Sequence, residues 1–415
     1  MTFAYRDGGL CAEQVSLEES AGRFGTPCYV YSRAVIENNF GQFAHALAGR
    51  QALVAYSVKA NSNLAVLALM ARLGAGFDIV SGGELARVLA AGGDPRKVVF
   101  SGVGKTEAEI ERALRAGILC LNLESEAELE RVDAVAARLG VRAPVAFRVN
   151  PDVDAKTHKH ISTGLAQNKF GVAYSEAERL CRDAARRRNI ELVGIGCHIG
   201  SMMTDASPYA AAAARIGALA ARLESAGIRL SHIDLGGGIG IRYRDEAPAP
   251  VAEFVRAALA ALGARKETLV MDPGRAIVGD AGLLLARIEY VKPGEAKNFV
   301  VVDAAMNDLI RPALYDAWHE VRTVRETESG AATGVYDIVG PVCESADFLA
   351  RDRKLAARPG GLLAIMTAGA YGMAMSSNYN SRPRAAEVMV SGANAFLVRE
   401  RETVEQLFAA ERVFL

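Results

Sequence analysis

The sequence predicts an α/β-plus-β fold: a (β/α)₈ barrel joined to a second, mostly β domain. Three observations carry this. Short apolar runs alternate with amphipathic helical segments eight times between residues 53 and 272. After about residue 280 the helices fall away and strand-like runs follow one another. The chain, 415 residues long, exceeds what one small core needs.

The eight runs are 53–58 "LVAYSV", 77–80 "FDIV", 98–101 "VVFS", 118–123 "ILCLNL", 145–149 "VAFRV", 193–197 "VGIGC", 231–235 "SHIDL" and 269–272 "LVMD". The segments between them, such as "NLAVLALMARLGA" and "TEAEIERALRAG", carry apolar residues at helical spacing and end near glycine. That count favours a closed barrel over an open sheet. The gap after the fifth run is long, and "DVDAKTHKHISTGLAQNKFGV" reads as an insertion over about 151–170. The later strands are "GLLLARIEYVK", "KNFVVVDAA", "VYDIVG", "GLLAIMTA" and "AAEVMVSG", and the early "CYVYS" at 28–32 is expected to complete their sheet. The expected domains are a barrel over 35–280 and a β domain built from 1–34 and 281–415.

Composition narrows the function classes. Lys plus Arg equals Asp plus Glu at 48 each, which leaves no electrostatic footprint for nucleic acid. An acidic substrate must be met by a few placed cations. The opening "MTFAYRDGGLCAEQ" lacks a basic segment followed by an apolar core, and no apolar run approaches the length of a membrane span. Six scattered cysteines without a CxxC pair argue against a zinc site or a disulfide framework and fit a reducing cytoplasm.

In such barrels the active site lies at the carboxyl ends of the strands. There the sequence places Lys59, Asp78 with Ser81, His198, Gly236 to Gly238, and Asp272 with Arg275. Two phosphate-loop look-alikes fail on spacing. In "SGVGKT" the first glycine of GxxxxGK[ST] would fall on Val99, and in "GGGIG" the third glycine of GxGxxG would fall on Ile241. The triglycine reads equally well as an anion cradle or as a tight strand-to-helix turn. Lys59 ends an apolar run, where lysine is uncommon. A desolvated lysine has a lowered pKa and can form a Schiff base. The phosphate-bearing aldehyde cofactor that uses such a lysine is pyridoxal 5′-phosphate. His198 would supply a planar neighbour for its ring, and Asp272 an acid against the pyridine nitrogen.

The ordered set "YSVKAN", "FDIVSGGEL", "HIGS", "DLGGGIG", "DPGR", "CESADF" and "GAYGMAMSSNYNSRPR" resembles the barrel-type pyridoxal-phosphate decarboxylases, whose fold is shared with alanine racemase. Within that family, "HISTGLAQNKFGV" and "MNDLIRPALYDAWHE" are similar to the branch acting on meso-diaminopimelate. The resemblance runs from "GTPCYVYS" to the final "SRPR". It implies conversion of meso-2,6-diaminopimelate to L-lysine and CO₂, the last step of lysine biosynthesis, by a cytoplasmic homodimer with shared active sites.

Residue by residue, the resemblance makes Lys59 the Schiff-base lysine and His198 the ring-stacking group of the catalytic set. It gives the cofactor Ser201, Gly237, Gly238 and the run Asp272, Pro273, Gly274 and Arg275. Arg275, Arg311, Tyr315, Glu344 and Tyr371 would contact substrate, Tyr371 lying also near the cofactor. Cys343 would be the proton donor, supplied to the partner's site. A metal is not implied. Chemistry supports the placing of Arg311, because a guanidinium donates to both oxygens of a carboxylate in a bidentate pair. Two positions depart from the family pattern: glutamate is expected where Asp272 stands, and glycine where Ala305 stands.

A sister decarboxylase acting on ornithine, arginine or carboxynorspermidine is the nearest alternative, and a basic distal group would call for an acid in place of Arg311. A non-catalytic homologue is the alternative of another class. Retention of both Lys59 and Cys343 speaks against it.

Overall fold

The computed structural model describes residues 3–154, 169–326 and 332–414. The chain forms two compact units. One comprises Phe40–Ile241 with Ala247–Ala276; the other comprises Met1–Asn39, Arg242–Glu246 and Ile277–Leu415.

The first unit is the closed parallel barrel. Its strands are β1 (Ala52–Ser57), β2 (Gly76–Ile79), β3 (Val98–Phe100), β4 (Cys120–Leu123), β5 (Ala143–Asn150), β6 (Ile190–Gly196), β7 (His232–Asp234) and β8 (Thr268–Met271). Each pairs in parallel with the next, and β8 returns to β1 through Leu269↔Ala52, Val270↔Leu53 and Met271↔Val54, which closes the ring. Apolar residues at alternate positions are buried on both faces, as covered parallel strands require. A short strand at Val172–Ala173 pairs in parallel with the end of β5. Residues 155–168 of the expected insertion lie outside the described residues.

Polar residues just past the strand ends start the helices. Asn63 caps the helix after β1, and Ser81 caps the one after β2 by accepting from the Glu84 N–H. Thr106 and Glu109 form a reciprocal capping box on the helix after β3. Ser81, grouped with the reactive residues by its strand-end position, is thus a helix cap.

The second unit carries a mixed sheet in which Gly282–Lys292 is central. Cys28–Ser32 pairs antiparallel with it and parallel with Ala386–Ser391, so the early strand does complete the late sheet. The order runs from Phe348–Leu355 through Gly334–Val339, Asn298–Val302, Gly282–Lys292, Cys28–Ser32 and Ala386–Ser391 to Asn394–Arg399. Val321–Thr323 and Leu362–Ile365 form a side ladder on Gly282–Lys292. Leu10, Leu17, Val30, Leu283, Leu285, Val388 and Val390 pack as one core here. All six cysteines are free thiols, and Cys343 alone of them is exposed. Among the described residues no helix is long and apolar enough to cross a membrane.

Candidate active site

Lys59 lies on a single 3₁₀ turn, Val58–Ala60, just beyond β1 rather than within it. Its Nζ donates to Asp78 Oδ2 at 2.6 Å, and its side chain is 36% exposed. The expectation of a desolvated lysine therefore gives way to a half-buried one facing a carboxylate. Asp78, at the end of β2, is buried, which disfavours its charge. The Lys59 ammonium and hydrogen bonds from Lys59, Ser101 and Ser57 outweigh that and hold the carboxyl below its ordinary range.

A cavity of roughly 200 Å³ opens at the same strand ends. Lys59, Asp78, Asn122, Arg148, His198, Asp234 and Asp272 all line it, each from a different strand end. Three acids and two fixed cations in one small space cannot all keep ordinary protonation. Burial and the Asp78 charge push the Asp272 carboxyl up to about 8, although Lys59 and Arg148 pull the other way. Burial, followed by the Asp272 charge, raises Asp234 well above the usual carboxylate range. Burial, then Arg148 and Lys59, lower His198 to about 3, so its imidazole is neutral at physiological pH. His198 Nδ1 and Asp272 Oδ1 stand 3.7 Å apart, too far for a hydrogen bond, and with both groups neutral they form no ion pair.

The loops that follow β6, β7 and β8 are laced by backbone bonds. Met203 N donates to Gly238 O at 2.9 Å, Gly240 N to Met203 O at 2.8 Å, and Asp272 N to Gly236 O at 3.1 Å. Gly237 N donates to His198 Nδ1 at 3.4 Å. A Cβ at Gly237 would collide with the Asp272 carbonyl, and one at Gly238 (φ +86) with the Gly200 carbonyl. Close approach alone thus demands glycine in the triglycine, whatever the loop binds. Pro273 O accepts from Ser57 N at 3.1 Å, and Gly274 packs on Ser57 and Ala60, which ties this run to the Lys59 turn. Arg275 is buried and its Nη2 donates to Ser201 Oγ at 3.3 Å. One unit therefore gathers Lys59, His198, Ser201, Gly237, Gly238 and the run 272–275.

Sequence reasoning missed Arg148, Glu124, Asn122 and Asp234. Arg148 Nη1 donates to Glu124 Oε1 at 3.3 Å, and its guanidinium lies over the Phe170 ring. Glu124 also accepts from Gly102 N and Gly171 N, so one carboxylate clamps two further loops and the arginine. For Arg148 in "VAFRV" and Asn122 in "LCLNL" the available signal was a lone polar residue inside an apolar run; Asp234 in "SHIDL" had only its strand-end position. The "SGVGKT" loop has a structural use. Lys105 is buried, pairs with Glu128 at 2.7 Å and donates to the Gly102 and Asn122 carbonyls.

The remaining predicted residues belong to the β unit. Arg311 opens a short helix, Arg311–Tyr315, and is buried; Tyr315 at its end is half-buried. Arg311 Nη1 contacts His319 Nε2 at 2.9 Å. Cys343 and Glu344 are exposed on a turn where Cys343 N donates to Asn380 Oδ1 and Tyr379 OH donates to Glu344. Tyr371 has φ +56, a left-handed conformation uncommon for a bulky residue and associated with functional sites. Ala305 fits where glycine was expected because its methyl packs on Gly340, at which a side chain would come within 2.6 Å.

Residues 33–279 match the pyridoxal-binding domain of the pyridoxal-dependent decarboxylases. The diaminopimelate decarboxylase of Pseudomonas aeruginosa is 58% identical over 410 residues, covering 99% of this chain and 98% of its own. That of Vibrio cholerae is 53% identical and covers 99% of both. The chain belongs to the diaminopimelate decarboxylase family. Solved family structures agree. Helicobacter pylori diaminopimelate decarboxylase complexed with L-lysine superposes with a TM-score of 0.92 at 41% identity, over 95% of this chain and 99% of its own. The family member from M. jannaschii gives 0.94 at 37% identity, over 99% and 98%. A lysine/ornithine decarboxylase from Vibrio vulnificus, 23% identical with a TM-score of 0.78, shares the fold.

Proposed function

We propose that the protein decarboxylates meso-2,6-diaminopimelate to L-lysine with pyridoxal 5′-phosphate as cofactor, as a cytoplasmic homodimer with shared active sites. The observation that carries this reading is Asp272, whose buried Oδ1 has no hydrogen-bond partner among the described residues, in the cavity that Lys59 also lines. An unpartnered buried carboxyl oxygen is costly unless something completes it. It is suited to a protonated pyridine nitrogen, whose charge would draw the carboxyl back from about 8 to its ionised form. Aspartate in place of glutamate therefore fits the cofactor.

When bound, the cofactor supplies an electron sink for the carbanion that CO₂ loss leaves. Lys59 is the amine that carries it between turnovers, with Asp78 holding the Nζ. Neutral His198 offers a flat face without adding charge beside the ring. Ser201, Gly237, Gly238, Gly274 and Arg275 are assigned to the phosphate, where small residues and one buried cation suit an anion. In this reading the barrel, over 35–280, holds the cofactor.

The β domain, 1–34 with 281–415, contributes the substrate and dimer-interface residues. Arg311 is assigned to the carboxylate at the end of the substrate that does not react, and Arg275, Tyr315, Glu344 and Tyr371 are assigned to substrate binding by the family resemblance. Cys343 Sγ holds the proton that replaces CO₂, and its exposure is compatible with service to the partner's site. A buried arginine, rather than an acid, at 311 favours this substrate over ornithine, arginine or carboxynorspermidine.

The test is CO₂ release from meso-diaminopimelate, with and without added pyridoxal phosphate, beside the Lys59→Ala variant. Cofactor-dependent release that falls at least about a thousandfold in the variant is expected. Release from ornithine or arginine instead would overturn the role of Arg311. No release from any of them would leave a non-catalytic homologue.

A further inference from the structure

We infer that His319 is a positioning residue for substrate specificity, one that aims Arg311 without neutralising it. The inference rests on the assignment of Arg311 to a substrate carboxylate. His319 is fully buried, and its ring nitrogens have two different partners: Nδ1 lies 2.8 Å from the Met366 carbonyl oxygen, and Nε2 lies 2.9 Å from Arg311 Nη1. A carbonyl can only accept and a guanidinium can only donate. The proton therefore sits on Nδ1, and the Nε2 lone pair takes the arginine N–H. A second proton would set two donors face to face at 2.9 Å.

The surroundings hold this geometry. Met366 N donates to Glu320 O at 2.8 Å and Arg353 Nη2 donates to His319 O at 3.1 Å, so bonds to the backbone on both sides of its ring contacts fix the histidine's place. The Arg311 guanidinium lies 4.5 Å over the Tyr243 ring, and His319 meets that same ring edge-on at 5.5 Å. Aromatic face and imidazole together define the plane and the rotation of the guanidinium.

The choice of histidine has an electrostatic reason. A carboxylate would hold the arginine equally well, but as an ion pair it would cancel the charge that must attract an anionic ligand. A neutral acceptor orients the guanidinium and leaves its charge intact. That makes His319 a determinant of preference for ligands carrying the distal carboxylate.

Three substitutions separate aim from charge. Asn at 319 can keep the bond to Met366 but loses the acceptor at the Nε2 position. Gln places an amide oxygen near that position. Glu places a carboxylate there. The measurement is calorimetric binding to the cofactor-loaded enzyme of L-lysine, which has the carboxylate, and of cadaverine, which lacks it, together with KM and kcat for meso-diaminopimelate.

His319→Asn is expected to weaken L-lysine roughly tenfold or more, the factor a lost charge-assisted hydrogen bond implies. Cadaverine should stay within about twofold, and KM should rise more than kcat falls. His319→Gln should restore most of the L-lysine affinity, and His319→Glu should not. Equal weakening of both ligands by Asn, or of neither, overturns the proposal, as does rescue by Glu. Arg311→Ala is the control. If it leaves L-lysine binding unchanged, the assignment of Arg311 fails and the role of His319 fails with it. If it weakens L-lysine while His319→Asn does not, only the role of His319 fails.

Discussion

At the barrel strand ends titratable groups face one another, whereas in the β unit Arg311 meets a neutral imidazole. Asp78, Asp234 and Asp272 share one cavity with Lys59 and Arg148, and the protonation of each acid depends on its charged neighbours. Arg311 meets an imidazole and a tyrosine face. Coupling suits a place where charge must appear and move during chemistry. A cation oriented by a neutral acceptor suits a place that recognises an anion.

The sharpest test of this division uses both units. Under the proposed shared site, Lys59→Ala and Cys343→Ala variants are each nearly inactive alone. Mixed and re-associated in equal amounts, they should recover about a quarter of wild-type CO₂ release, because half the dimers would carry one intact site of two. No recovery would mean that each chain supplies its own proton donor.

Stability gives the next largest effect. Lys105→Ala leaves Glu128 buried and uncompensated, and should cost about 3–5 kcal/mol in chemical denaturation. The double change Lys105→Met with Glu128→Leu should cost far less. An equal cost would mean that the pair holds the loop by more than its charges.

The smallest effect is a pH slope in cofactor-free protein. Asp272 is raised from 3.8 to about 8, so the folded state binds the extra proton and stability falls as pH rises through that range. His198 is lowered from 6.5 to about 3, which has the opposite sign: stability rises with pH up to about 6.5. The two oppose each other below pH 6.5, and the acid prevails above it. Thermal midpoints should therefore decline between pH 6.5 and about 8 in the wild type, and less steeply in Asp272→Asn, where Asp234 alone still binds an extra proton in the folded state. A flat wild-type profile would mean that neither Asp234 nor Asp272 holds a proton in the folded state.

Much of this was legible beforehand. All eight barrel strands lie within three residues of the apolar runs that announced them, and "CYVYS" joins the late sheet. Lys59, His198 and Asp272 do gather at one cavity. The less legible parts share a cause. Ser81 resembles a reactive residue until its bond to Glu84 N is seen, and Lys105 resembles half a phosphate loop until its pair with Glu128, on the helix Glu126–Leu139, is seen. His319 is one letter in "YDAWHE" until Met366, distant in the chain, bonds its ring.

The sequence by itself determined the fold class, the strand ends and the set of reactive side chains there, because periodicity, glycine placement and residue type are local properties. Only the tertiary structure decided which of those groups are charged. That depends on burial and on neighbours tens to hundreds of residues away, such as Asp78 beside Asp272 and Met366 beside His319. An aspartate reads alike in every sequence; the cavity around it sets whether it holds a proton.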